Sequence, residues 1–238
     1  MPCHNVGRCQ IMRVWLPIFC GLGCLLATGC QSVNPFYTKP SATAEDLAKY
    51  GPTSAQRIKT LQEEYAKGPG TDAAEQAAKA NELARQIQNE RDPLVRSQIL
   101  RNIALYPTRV SAAVLHAATN DPDQNVREVC CELWSQRGDE EAVQNLRDRA
   151  VNDESIDVRL AAVKGLGATK QSTAIEALAP ILEEPDPALQ YRAVQSLKQL
   201  SGLGYGDDVN KWREYVQTPA PQRPQPTLAD SLGLRGWY

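Results

Sequence analysis

The stretch Asp153-Glu154-Ser155-Ile156-Asp157-Val158-Arg159-Leu160-Ala161-Ala162-Val163-Lys164-Gly165-Leu166-Gly167 decides the fold because it recurs along the chain. With Arg159 as position zero, the same register returns at Arg96, at Arg127 and at Gln190, where the arginine is replaced. The steps are 31, 32 and 31 residues, the fixed period of a stacked-repeat architecture. Three columns are apolar in all four copies: Val95, Ile99, Ile103; Val126, Cys130, Trp134; Val158, Ala162, Leu166; Leu189, Ala193, Leu197. Their i, i+4, i+8 spacing lays each set along one stripe of an α-helix. An acid stands six residues before zero in every copy (Glu90, Asp121, Asp153, Glu184). Asp92, Asp123, Ser155 and Asp186 stand four before it, where a side-chain oxygen caps the first helical turn and suits its dipole.

A second helix follows each first one, with columns Ser111, Ala142, Ala174; Ala112, Val143, Ile175; and Leu115, Leu146, Leu178. A helical hairpin of this length cannot bury both apolar faces alone, so the hairpins must stack. No strand-like alternation of useful length appears, and two phenylalanines among many alanines suit helix stacking better than a sheet core. The expected class is all-α, an α-solenoid.

The pattern Asp-x-x-Val-Arg-x-x-Ala-x-x-x-Leu-Gly resembles HEAT repeats, in the subclass named after phycobilisome lyases, over residues 90–201. The resemblance implies a right-handed α-solenoid of HEAT-like hairpins, with the Val-Arg helices lining its concave surface. That surface would expose the columns one and five residues after zero: Ser97 and Arg101, Glu128 and Glu132, Leu160 and Lys164, Tyr191 and Gln195. These are the candidate protein-binding residues; Arg96, Arg127, Arg159 and Gln190 define the repeat. Repeat solenoids host unrelated activities, so the resemblance speaks for fold more than for function.

Residues 1–29 differ in composition. Arg8 and Arg13 give a positive start, no acid precedes Glu45, and Val14 to Thr28 is apolar but short for a membrane span. The run ends in Leu25-Leu26-Ala27-Thr28-Gly29-Cys30, which resembles the lipobox of bacterial lipoprotein signals. There the cysteine is lipidated and becomes the new N-terminus, which implies a protein anchored to a membrane and facing the periplasm. Gln31 is not the aspartate associated with inner-membrane retention, which points to the outer membrane. The expected divisions are a signal peptide over 1–29, a lipidated N-terminus and tether over 30–52, the solenoid over 53–218, and a linker with tail over 219–238. Within the solenoid, two helices at 53–67 and 72–91 fit the repeat columns poorly and read as a polar N-terminal cap.

Charge and cysteines narrow the chemistry. The full chain carries −2; without residues 1–29 it holds 24 basic and 28 acidic residues, a net −4. No concentrated basic face of the kind that nucleic acid needs is present. Of seven cysteines, only Cys130 and Cys131 lie beyond Cys30. Neighbouring helical positions diverge by about 100°, so the two are expected to pack rather than to bridge. His116 is the one histidine beyond the signal, which leaves no basis for a metal site. No cofactor motif is present either: the glycine-rich turn 201–208 lacks a following Gly-Lys-Ser/Thr and is not a phosphate loop.

Two enzyme families with this repeat bear comparison. Deoxyhypusine hydroxylases hold di-iron on repeated His-Glu pairs, and the chain has no His-Glu dipeptide. A lyase-type activity related to phycobilin lyases is the alternative, although a lipidated envelope location is wrong for modifying cytoplasmic phycobiliproteins. The preferred reading is a non-catalytic interaction scaffold for an unidentified protein or peptide, held to the membrane by its N-terminal lipid. A second candidate contact region is the tail, where Leu232, Leu234, Trp237 and Tyr238 follow the proline-rich spacer 219–226. Docking on the chain's own solenoid, on a partner, or on neither is open for it.

Overall fold

The computed structural model describes residues 43–218, which form helices without a strand. In chain order these are α1 (Ala44–Tyr50), α2 (Ser54–Tyr65), α3 (Ala73–Asn89), α4 (Pro93–Ile103), α5 (Arg109–Ala118) and α6 (Gln124–Arg137). They continue with α7 (Glu140–Asn152), α8 (Ile156–Ala168), α9 (Thr173–Leu182), α10 (Pro187–Ser201) and α11 (Val209–Gln217). The signal peptide expected over 1–29, the expected lipidation site Cys30 and the expected 219–238 linker and tail fall outside the described residues. Part of the tether expected over 30–52 is helical instead: α1 carries Glu45 and Asp46 in its first turn and Lys49 in its last. Those charges complement the helix dipole, and α1 buries no side chain.

The helices stack in two layers. In the first, α2, α4, α6, α8 and α10 pack in succession; in the second, α3 meets α5, and α7, α9 and α11 follow one another. This is the α-solenoid expected from the period. Among the described residues α5 and α7 pack loosely, linked where Arg149 on α7 donates to Thr119 O at the C-cap of α5 at 3.4 Å, so the second layer is looser there.

Local chemistry sets the helix ends. Thr53 and Gln56 form a reciprocal capping box on α2. Asp92, Asp123 and Asp186 each accept from a first-turn N–H of α4, α6 and α10. Ser155 departs from that pattern, since its hydroxyl donates to Gln124 Oε1 at 3.0 Å and makes no cap bond on α8. Gly138 closes α6 at φ 62°, a left-handed conformation that a side chain disfavours.

All twelve residues of the three apolar columns are buried. In the second helices the columns are buried as well, except that Ala112 on α5 is partly open. A further column, six residues after zero, contributes to how closely first-layer helices approach. It holds Asn102, Leu133, Gly165 and Ser196. The small members belong to α8 and α10, and α8 packs more intimately on both its neighbours than α4 does on either of its own. Ser196 donates to Val163 O at 2.8 Å, and a Cβ on Gly167 would lie 2.7 Å from Ser196 Cβ and 2.8 Å from its Cα. Only glycine fits where two helix backbones come this near. Asn102 holds α4 to α2 from a wider separation, donating to Leu61 O at 3.1 Å.

Candidate functional site

Each first-layer helix divides its surface among three tasks, and the site is what the first two leave over. The apolar stripe fills the core. The zero column runs sideways into the neighbouring repeat: Arg96 pairs with Asp121 at 2.7 Å, Arg127 with Asp153 at 2.9 Å and Arg159 with Glu184 at 2.6 Å. Arg96 and Arg127 grip their aspartates bidentately and also donate to loop carbonyls, Arg91 O and Asp121 O. Arg57 on α2 begins the ladder by pairing with Glu90. Gln190, which has no acid ahead of it in register, donates to Glu184 O at 2.6 Å instead.

The acids six before zero thus bind the preceding repeat's arginine, while those four before zero cap helices. Asp153 is 7% exposed and lies against Arg127 at 5%. Burial alone would push the Asp153 carboxyl up. Bonds from Arg127 and the Ser155 N–H, with the charge of Arg149, outweigh that and hold it below the usual carboxylate range.

The columns one and five after zero are left for the open face. Between α4, α6 and α8 they bound a groove of about 350 Å³. Arg101, Glu128, Glu132 and Lys164 form its charged rim, and Val129, Ala161, Gly165 and Ala168 give it a floor of small apolar groups. Arg101 is committed to Glu132 at 2.7 Å, but both side chains are more than 40% exposed, so the pair is loosely held. Glu128 and Lys164 make no ion pair among the described residues. Burial, followed by the nearby charges of Asp157 and Asp123, raises the Glu128 carboxyl above its ordinary value.

The other candidates lie apart from this groove. Ser97 is partly buried, and its hydroxyl has no hydrogen-bond partner among the described residues. Leu160 is half-buried against the core, Tyr191 is 56% exposed further along the stack, and Gln195 donates to Asp207 at 3.1 Å. Leu232, Leu234, Trp237, Tyr238 and Cys30 lie outside the described residues. Asn125 and Val129, which also line the groove, were missed because they belong to neither exposed column. A helical wheel drawn about Glu128 would have found both.

His116 is exposed, with its ring edge-on to Trp134 at 6.4 Å. Cys130 donates to Leu115 O at 3.2 Å, burial pushes its thiol up to about 12, and burial raises Cys131 too. Among the described residues no cluster of three or more His, Cys, Asp or Glu is placed to hold a metal, and no helix is long and apolar enough to cross a membrane.

No curated protein matches the chain. A family model described as HEAT repeats matches residues 80–155 and again 146–232. The first match opens within α3, ahead of the clear repeats, and the second takes in the closing helix α11. Since these matches span well over half the residues, and stacked hairpins with an Arg–acid ladder lie beneath them, the chain belongs to the HEAT-repeat family.

Proposed function

We propose that the protein is a non-catalytic scaffold of the phycobilisome-lyase-like HEAT subclass, anchored through lipid on Cys30 and facing the periplasm. It holds a protein or peptide on the α4–α6–α8 face. The observation that carries the binding role is the division of labour on α6 and α8. Their zero-column arginines are consumed inside the stack, whereas Glu128 and Lys164 line the groove without an internal ion-pair partner among the described residues. Charged groups spared from folding in this way are free to set partner choice and orientation.

The anchoring reading rests on the lipobox-like Leu25–Cys30 run. Two or more acyl chains at Cys30 would hold the protein stably, where one chain binds only marginally. Two measurements test the parts separately. Cys30→Ala should abolish uptake of labelled fatty acid and release the protein from membranes; continued labelling ends the lipidation assignment. Glu128→Lys with Lys164→Glu should lose whatever protein co-purifies with the native chain, while Glu176→Lys on the second layer should keep it. Equal recovery from both variants removes the groove from the binding role.

A further inference from the structure

A second groove lies on the opposite layer, where the stack is looser. Because α5 and α7 pack loosely, the turn after α4, the start of α5 and the end of α6 enclose about 510 Å³. Its walls are apolar: Tyr106, Pro107, Ala112, Leu115 and Leu133 line it. Further along the second layer, between α7 and α9, the equivalent space is closed by the next helix, and Ala142 and Ala174 are fully buried. Ala112 is the member of its column left partly open, and it is open toward this gap.

The rim carries one uncompensated positive charge among the described residues, Arg109. The first residue of α5 is Arg109, its cap is the neutral Thr108, and its first turn holds no acid. The dipole end and the guanidinium therefore add rather than cancel. Arg109 is exposed and makes no ion pair among the described residues. Arg137, across the groove, is already shared between Asp139 and Glu141 and stacked over Trp134 at 4.7 Å.

We propose that this groove is a docking site for a partner peptide that inserts one bulky apolar side chain beside a carboxylate. The side chain fills the space left by the loose α5–α7 packing, against Leu115, Leu133 and Ala112. The carboxylate pairs with Arg109 at the start of α5, where a planar guanidinium can grip it bidentately. A volume of this size fits the lower half of the range for ligand sites, enough for one or two large side chains. The site is distinct from the α4–α6–α8 groove, whose small floor and unpaired Glu128 suit different chemistry.

The test uses the full chain in detergent and a fluorescein-labelled heptapeptide with Leu-Trp-Asp at its centre. Fluorescence polarisation should show saturable binding. Replacing the peptide's aspartate by asparagine should weaken it about tenfold, as should Arg109→Glu, the loss of one charge-assisted pair. Ala112→Trp should abolish binding by filling the groove, with an unchanged circular-dichroism melt showing that the variant folds. Glu128→Lys should leave the affinity unaltered. No saturation, or equal affinity in the Arg109→Glu variant, overturns the assignment. So does tighter binding by more than tenfold after removal of residues 219–238, which would make the chain's own tail the occupant.

Discussion

The two ends of the stack obey one register and pack differently. Around α8, Gly167 and Ser196 let two helix backbones come together, and Arg127 and Asp153 are sealed between repeats. Around α4 and α5 the column six after zero carries Asn102 and Leu133, and the second layer is looser between α5 and α7. The contrast teaches that a repeat's apolar stripe specifies which helices stack, whereas the size of the residues flanking it helps set how tightly. Tight packing yields stability, and the looser end leaves grooves.

Substitutions can break that comparison. The largest expected loss is at the sealed pair: Arg127→Ala removes the bidentate partner of the buried Asp153 carboxylate, leaving it only the longer contact with Arg149 at 3.4 Å, and should cost about 3–5 kcal/mol. Arg101→Ala at the exposed Arg101–Glu132 pair should cost no more than about 1 kcal/mol. Chemical denaturation of both variants checks this, and equal losses would erase the distinction. Next comes the core. Leu166→Ala, fully enclosed, should cost about 3–5 kcal/mol, and Leu115→Ala, on the wall of the open groove, about 2 kcal/mol, because its surroundings already face space.

Backbone approach gives a smaller effect. Gly167→Ala should cost about 1–3 kcal/mol, because the added methyl meets the Cα of Ser196 and the helices must part. At Gly165 the nearest atom is the flexible Leu146 Cδ2 at 3.0 Å. There the helix propensity gained by alanine, about 1 kcal/mol, offsets the crowding, and Gly165→Ala should be close to neutral. A melt that loses equally at both positions would refute the close-approach argument.

Acid should weaken the sealed pair. Asp153 is held below its unfolded value, so its contribution is present above the unfolded pKa and disappears as pH falls through the folded one. Thermal melts should therefore fall steeply below about pH 4, with a shallower slope in Asp153→Asn. An unchanged slope would move the acid sensitivity elsewhere. The smallest effect is expected at Lys164→Ala on the groove rim, within about 0.5 kcal/mol of the native chain.

Much of this was open to reading in the chain itself. A period of about 31 residues with apolar groups at i, i+4 and i+8 determined the helices, their order and their buried stripe. It did so because helical spacing and burial are local consequences of side-chain type. The ladder was also within reach: Arg96 and Asp121, Arg127 and Asp153, and Arg159 and Glu184 recur 25 or 26 residues apart with opposite charge. Their pairing stayed hidden because an acid near a helix start already has a sufficient local explanation as a capping or dipole group. Other features were decided only in three dimensions. How closely α5 approaches α7, and whether a methyl at Gly167 has room, depend on separations between helices far apart in sequence. Those distances are set by all the packed side chains together rather than by any one column, and so are the two grooves that they leave.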